Sequence, residues 1–232
     1  MSEFERGLMT LLAQAGQAVT KRQFSAMEIY YNELVEVNHT HNLTAVTSPE
    51  DAALRHFFDS IVPQVLIPRG ASVVDVGSGA GFPLVPLKIM REDISATAVE
   101  SAGKKCAFIE RATAAAGVAV TVRCSRAEEL ARTELRESFD VCVSRAVAQL
   151  RVLAELCAPL VKPGGLFLAY KGDYAQEFAE AEHALSALGL RLEETVKMPC
   201  EGYAHHVLAF RKTGACAAKY PRRYAQIVKS PL

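Results

Sequence analysis

A glycine-rich segment around position 80 has the spacing of a ligand-binding turn. Residues 73–76 are valines apart from Asp75 and predict a short strand, and residues 77–81 then carry a glycine at every second position. Glycine lets a backbone turn sharply and approach a ligand closely. A dinucleotide fingerprint would need a sixth-position glycine, where Phe82 stands. With Asp75 two residues before the turn, this departure favours an S-adenosylmethionine site over a nicotinamide site, although a simple strand-to-helix turn is the structural alternative.

Residues at the ends of the next two predicted strands supply further ligand contacts. Glu100 ends the second strand at about the 20-residue offset expected for a carboxylate that accepts the ribose hydroxyls. Ala127 and Glu128 follow the third strand, where an adenine ring would lie on a sheet of this kind. They offer backbone and side-chain contacts to such a ring. The structural alternatives are an ordinary polar strand end and a solvated helix start.

Arg145 follows the fourth predicted strand, whose carboxyl end opens on the cleft where ligands bind in such sheets. Its guanidinium can hold a carboxylate, a phosphate or a guanine edge through two parallel hydrogen bonds. A surface salt bridge is the alternative. We therefore expect Arg145 to contact a ligand at this edge of the sheet.

Strands that alternate with helical stretches must position these residues. The strands are predicted at residues 72–76, 95–100, 119–123, 139–144, 166–171, 190–196 and 205–211. Such alternation demands a mainly parallel sheet that is covered on both faces. The last two strands have no helix between them, which predicts an antiparallel terminal strand. The fold class is therefore α/β, with a Rossmann-like, mainly parallel, seven-stranded sheet.

Three segments are predicted along the chain. Residues 1–66 carry apolar residues at helical spacing and form an N-terminal helical extension. Residues 67–213 form the Rossmann-like domain, and residues 214–232 form a basic C-terminal tail. Within the extension, Ser48 followed by Pro49 and two acids predicts the start of a helix.

Composition excludes several classes of protein. The 232 residues are 50% hydrophobic and include 26 basic and 26 acidic residues, so RNA contacts must come from local clusters rather than net charge. The six cysteines form no Cys-x-x-Cys pair, and no metal site is expected. Neither a membrane span nor the pattern of a secretory signal is visible. We expect a cytoplasmic monomer with no membrane partner.

Several segments together resemble the bacterial 16S ribosomal RNA guanine-N7 methyltransferases, the RsmG family, formerly called glucose-inhibited division protein B. The resemblance extends over nearly the whole chain. The segments that carry it are residues 42–44, Arg55-His56, Asp59-Ser60, residues 75–83, residues 144–146, Lys171-Gly172 and the tail from Tyr220 to Leu232. It implies a class I methyltransferase fold, S-adenosyl-L-methionine as cofactor, and 16S rRNA of the small ribosomal subunit as partner. The target it implies is N7 of the guanine conventionally numbered 527.

The resemblance also implies where the ligands bind. Its cofactor contacts carry over onto Gly77, Phe82, Ala127, Glu128 and Arg145. With the contacts argued from the residues themselves, the expected cofactor set is Gly77, Gly79, Phe82, Glu100, Ala127, Glu128 and Arg145. The candidates for contact with RNA are Arg55, His56, Arg145, Lys171, Arg222 and Arg223. Family members often have Leu where Phe82 stands and Asp where Glu100 stands, which are mild changes.

The expected chemistry needs no catalytic acid or base. Guanine N7 carries a lone pair and no proton, so its attack on a sulfonium methyl group requires alignment rather than proton removal. Asp75 is expected to support the turn or the ammonium group of the cofactor. Two alternatives stay open: a class I methyltransferase for a small metabolite or a protein, and a non-catalytic ribosome-binding module that retains the fold. The glycine turn and Glu100 argue against the second.

Overall fold

One seven-stranded sheet organises the protein. The computed structural model describes residues 2–232. The strands are β1 (Ser72–Val76), β2 (Ser95–Glu100), β3 (Thr121–Cys124), β4 (Phe139–Arg145), β5 (Val161–Lys171), β6 (Leu190–Lys197) and β7 (His206–Lys212). They lie in the order β3-β2-β1-β4-β5-β7-β6. Strand β7 runs antiparallel to β5 and β6, and the other pairings are parallel. The predicted sheet, including its antiparallel terminal strand, is confirmed.

Two strands differ by more than one residue in their bounds from the prediction. Strand β3 begins at Thr121 rather than at residue 119, a difference within the usual fraying of element ends. Strand β5 begins at Val161 rather than at Leu166, because its pairing register with β4 shifts along the way. Gly164 lies in this irregular part with a φ of +82°. The irregular part of β5 is thus a bulge within the strand.

Two capped helices precede the sheet. Helix α1 (Glu3–Gln14) begins after Ser2, whose side chain accepts a hydrogen bond from the third residue of the helix. Helix α2 (Lys21–His41) begins with a capping box formed by Thr20 and Gln23. Both helices bury one apolar face. The predicted helical extension is therefore present.

A third helical stretch changes its winding several times. It consists of α3 (Pro49–Asp51), a π-helix (Ala52–Phe58), α4 (Asp59–Ile61) and a 3₁₀-helix (Val62–Leu66). Ser48 caps it as predicted, because its side chain accepts a hydrogen bond from the Asp51 N–H at 3.1 Å. Widened π turns often occur at functional sites. Here the π-helix contains Arg55 and His56, two of the residues expected to contact RNA.

The remaining helices cover both faces of the sheet. They are α5 (Leu84–Met90), α6 (Gly103–Ala115), α7 (Ala127–Leu130), α8 (Leu150–Cys157), a 3₁₀-helix (Ala158–Leu160), α9 (Ala175–Ala187) and α10 (Tyr224–Lys229). On one face Val73 and Val141 pack with the helices before β1 and with α5 and α6. Their neighbours Val74 and Cys142 point to the opposite face and pack with α7, α8, α9 and α10. No helix within residues 2–232 combines the length and the apolar character needed to cross a bilayer.

The C-terminal tail is docked against α8 through a buried ion pair. Glu155 has no exposed surface, and its carboxylate accepts hydrogen bonds from both the backbone N–H and the guanidinium of Arg222. The shortest of these joins Nη2 to Oε2 at 2.6 Å. Ile227 of α10 is also fully buried. The guanidinium of Arg222 is therefore engaged within the fold, whereas Arg223 is exposed.

Arg222→Ala is expected to lower the free energy of unfolding by about 3–5 kcal/mol, because it leaves the Glu155 carboxylate buried without its counter-charge. Arg223→Ala is the matched control. It removes the same side chain from an exposed position one residue later, and should change stability by less than about 0.5 kcal/mol. Urea unfolding followed by circular dichroism measures both. Equal losses in the two variants would show that this ion pair does not anchor the tail.

Candidate functional site

The glycine-rich turn joins β1 to α5 in a conformation that favours glycine. Gly77, Gly79 and Gly81 have positive φ angles of 71°, 57° and 84°, in the left-handed region where most side chains are strained. The N–H groups of Gly77 and Ser78 donate to the Val99 carbonyl of β2 at 2.9 and 3.1 Å. The turn is therefore held at the carboxyl edge of the sheet, where ligands bind in folds of this class.

Helix α2 fixes the outer side of this turn, a contact that sequence reasoning missed. The buried hydroxyl of Tyr30 donates to the Ala80 carbonyl at 3.0 Å. A Cβ at Gly81 would lie 2.2 Å from that hydroxyl oxygen and 2.9 Å from Cγ2 of Val85. The N-terminal helices thus help to shape the turn. In the sequence, Tyr30 stands out only as part of an amphipathic helix.

Glu100 ties the turn to the end of β2. One carboxylate oxygen accepts a hydrogen bond from the Gly79 N–H at 3.0 Å, and the other accepts one from the Ala102 N–H at 2.8 Å. A carboxylate has about four lone-pair positions, so these bonds leave capacity for the predicted ribose hydroxyls. Substitution of Glu100 would disturb the turn as well as any ribose contact, since one carboxylate serves both.

Asp75 is a buried acid without a partner. It has no exposed surface, and neither carboxylate oxygen has a hydrogen-bond partner of ordinary geometry, although the Ser78 side chain and the Leu84 backbone lie close enough to lower its pKa. Burial raises the pKa of Asp75 to about 8, against the opposing effect of the Arg145 charge. A buried carboxyl group with a raised pKa favours a ligand that supplies a cationic hydrogen-bond donor. The ammonium group of S-adenosylmethionine is such a donor, and the residues around the turn fit this cofactor.

A cleft of about 530 Å³ opens beside the turn and gathers most of the predicted residues. The predicted residues that line it are Arg55, His56, Gly77, Gly79, Phe82, Glu100 and Arg145. Lys105, which was not predicted, adds a further cation to the wall. The cleft therefore brings the glycine turn, the proposed ribose carboxylate and several cations into one space.

The other predicted residues lie outside this cleft. Ala127 and Glu128 line a smaller cavity of about 90 Å³, which shares Gly77 and Glu100 with the main cleft. The sharing is consistent with adenine at one end of a continuous cofactor site. Lys171 lines a third cavity and donates to Glu177 at 2.6 Å, so it lies beside the cleft rather than in its wall.

The side chains of Arg145 and His205 meet at Asp59, a residue to which the sequence assigned no role. Asp59 of α4 is fully buried, and its carboxylate accepts hydrogen bonds from Arg145 at 2.8 Å and from Nδ1 of His205 at 2.5 Å. Arg145 also donates to the Arg55 carbonyl of the π-helix at 2.6 Å. This network fixes the guanidinium at the cleft wall. An acid among the apolar residues of a predicted helix was the signal that could have identified Asp59.

His56 and Phe82 form an aromatic wall. Their rings stack with centroids 4.4 Å apart and planes inclined by 10°, and the Arg145 guanidinium lies 5.7 Å from the Phe82 centroid. Burial and the charge of Arg145 lower the pKa of His56 to about 3. His56 is therefore uncharged at neutral pH, and the predicted RNA contact at this position would be that of a neutral ring.

No group of three or more His, Cys, Asp or Glu side chains that could hold a metal ion occurs among the described residues, 2–232. The sequence contains the adjacent histidines His205 and His206. The imidazole of His205 interacts with Asp59. His206 lies next to it in the chain but interacts with the Gly172 carbonyl at 3.1 Å. The two adjacent histidines thus have different structural surroundings, and only His205 lines the main cleft.

Gly77→Ala should abolish or strongly weaken binding of S-adenosylhomocysteine. Its Cβ would lie 2.4 Å from Cγ2 of Val147, in a left-handed backbone that already disfavours alanine. Gly117→Ala is the control, because Gly117 has a similar φ of +66° but open space around its Cβ. Calorimetric titration should show unchanged affinity in the control. A folded Gly77→Ala variant with unchanged affinity would exclude the turn from the cofactor site.

The affinity for S-adenosylhomocysteine should rise with pH up to about pH 8. The ammonium group of the ligand needs an ionised Asp75, and the pKa of Asp75 in the ligand-free protein is about 8. Asp75→Asn should remove this rise.

Asp75→Asn should also stabilise the ligand-free protein at neutral pH. Between pH 4 and 8 the unfolded chain ionises Asp75 while the folded chain keeps it protonated, which lowers the stability of the wild type. Titrations and thermal unfolding at several pH values measure both. A pH slope that persists in Asp75→Asn would assign it to another group.

Comparison with known proteins places the chain in a family. The family described as rRNA small subunit methyltransferase G matches residues 23–206. Ribosomal RNA small subunit methyltransferase G of Pelotomaculum thermopropionicum is 41% identical over 226 residues, covering 94% of this chain and 95% of the relative. The protein of the same name from Bacillus subtilis is 38% identical over 239 residues, covering 100% and 98%.

Solved structures share the fold at low sequence identity. A SAM-dependent methyltransferase from Aquifex aeolicus aligns with a TM-score of 0.53 at 20% identity, covering 68% of this chain and 92% of that one. M. jannaschii TYW2 in complex with AdoMet aligns with a TM-score of 0.53 at 15% identity, covering 67% and 76%. These structures show the class I methyltransferase fold, and the sequence relatives show the closer kinship. The chain belongs to the rRNA small subunit methyltransferase G family.

Proposed function

We propose that this protein transfers the methyl group of S-adenosylmethionine to N7 of a guanine, conventionally position 527, in 16S rRNA of the small ribosomal subunit. The observation that carries the proposal is the composition of the main cleft. There the glycine turn and Glu100 share one cleft with Arg145 and with the aromatic wall of His56 and Phe82. We further propose that the protein acts as a monomer in the cytoplasm.

We propose that the cofactor binds in the half of the cleft next to the glycine turn, through residues in and beside that turn. Asp75 would accept a hydrogen bond from the ammonium group, and Glu100 from the ribose hydroxyls. Gly77 and Gly79 would allow the backbone to approach the ligand, and Phe82 would close one side. When bound, S-adenosylmethionine supplies an electrophilic methyl group on a sulfonium centre.

The substrate half is proposed to hold a flat base against Phe82 and His56. Both hydrogen bonds that Arg145 makes to Asp59 and Arg55 leave from its Nη1. Among residues 2–232, no hydrogen bond is found from its other guanidinium nitrogens, which can therefore donate to a guanine edge or a phosphate. Asp59 would keep the guanidinium aimed at the cleft.

Individual cations around the cleft, rather than a net positive charge of the protein, would bind the phosphates of the RNA backbone. Arg55, Lys171 and Arg223 remain the proposed phosphate contacts, with Lys105 added because it lines the cleft. Arg222 contributes indirectly, since its guanidinium holds the tail in place. Binding to RNA should accordingly weaken as the salt concentration increases.

One comparison of substrates tests the proposed function. Radiolabelled methyl transfer should be measured in parallel to naked 16S rRNA, to small subunits, to bulk protein and to a metabolite extract. Label in rRNA at a guanine supports the proposal. Label in protein or in a small molecule would support the alternative methyltransferases, and cofactor binding without transfer would support a non-catalytic module.

Arg145→Lys should lower the rate at saturating cofactor and RNA, because lysine retains the charge next to Asp59 but cannot make the two parallel hydrogen bonds of a guanidinium. Arg69→Ala serves as the control, since Arg69 is exposed just before β1, at the opposite edge of the sheet. Single-turnover methylation measures both. Equal rates for Arg145→Lys and the wild type would remove Arg145 from the positioning of the base.

The rate at saturating cofactor should be nearly independent of pH between about pH 6 and 9, because guanine N7 is unprotonated and needs no base in this range. His56 stays neutral throughout, given a pKa of about 3. Asp75 should affect only cofactor binding, so saturating S-adenosylmethionine should restore much of the rate lost in Asp75→Asn. A rate that rises tenfold per pH unit and loses this slope in one carboxyl or histidine variant would contradict transfer to N7.

A further inference from the structure

The small cavity beside Ala127 is completed by a residue from the far end of the chain. Its walls include Glu100, Ala127 and Glu128, and also Tyr224 from the first turn of α10. The cavity shares Gly77 and Glu100 with the main cleft. The C-terminal tail therefore forms part of the wall at the end of the site where adenine is expected.

The chain just before Tyr224 is fixed by hydrogen bonds to other parts of the protein. Before it, Arg136 donates to the Tyr220 carbonyl at 2.7 Å, and Arg132 donates to the Pro221 carbonyl at 2.6 Å. Arg222 adds the buried ion pair with Glu155 described above. These hydrogen bonds hold the segment in a defined place, and Tyr224 lies two residues after Arg222.

The ring of Tyr224 is held at the cavity rather than in the core. The guanidinium of Arg126 lies 5.5 Å from its centroid, and 37% of the tyrosine remains exposed. Arg126 directly precedes α7, whose first residues line the same cavity. A partly exposed aromatic ring next to a cation is a surface on which a purine base can stack.

We propose that Tyr224 is a binding residue for the adenine ring of the cofactor, and that the docked tail is consequently part of the cofactor site. The inference rests on S-adenosylmethionine as the cofactor of this family. It does not depend on which RNA atom receives the methyl group. The tail thereby has a role in binding the methyl donor, in addition to any contact of its cations with RNA.

The test compares two ligands that differ only in the base. S-adenosylhomocysteine carries adenine, whereas S-ribosylhomocysteine retains the ribose and amino-acid parts without it. Tyr224→Ala should weaken S-adenosylhomocysteine about tenfold, as expected for a lost base–aromatic stack. It should leave the affinity for S-ribosylhomocysteine unchanged, and Tyr224→Phe should bind both ligands as the wild type does. An equal loss for both ligands, or no loss for either, would overturn the proposal.

A fluorescence measurement provides a second, independent readout. The chain contains no tryptophan, so Tyr224→Trp introduces a single emitter at the proposed contact. Its emission should change when S-adenosylhomocysteine is added and should not change with S-ribosylhomocysteine. Val228→Trp, at an exposed position of the same helix, is the matched control and should respond to neither. Identical responses of both variants to S-adenosylhomocysteine would contradict a direct contact. Because neither experiment involves RNA, failure of the proposed methylation target would leave these outcomes unaffected.

Discussion

The left-handed backbone at residues 77–81 is the constraint on which the cleft depends. Such a turn is stable only if surrounding groups hold it, and here they come from two sides. Glu100 accepts a hydrogen bond from the Gly79 N–H, and Tyr30 donates one to the Ala80 carbonyl. The sheet alone therefore does not define the site. The N-terminal helices complete it, because Tyr30 of α2 holds the turn that borders the proposed cofactor site.

Buried carboxylates join parts of the chain that are distant in sequence. Asp59 connects α4 with Arg145 and His205, and Glu155 connects α8 with Arg222. A buried charge is tolerated only where a partner meets it, so each pair fixes the relative position of two elements. Asp75 is the exception, since it is buried without a partner. We interpret Asp59 and Glu155 as structural acids, whose hydrogen-bond partners lie within the fold. We interpret Asp75 as an acid whose partner is a ligand.

Secondary structure and sheet topology followed from local patterns. Strands β1, β2 and β4 are largely buried on both faces and carry short apolar runs, which makes them easy to identify in the sequence. The antiparallel last strand followed from the missing helix before it. The bulged start of β5 was not predictable, because a register shift depends on the neighbouring strand rather than on the residues of β5 alone.

The sequence by itself determined the fold class, the glycine turn and the acid at position 100, because strand periodicity and motif spacing are local properties of a chain. Only the tertiary structure decided which charged side chains remain free for a ligand. Arg145 and Arg222 look alike in sequence and each neutralises a buried acid, yet only Arg145 also lines the cleft. The pairing of charges and the approach of Tyr30, Asp59, His205 and Tyr224 to the site depend on long-range packing, which brings together residues that have no fixed spacing along the chain.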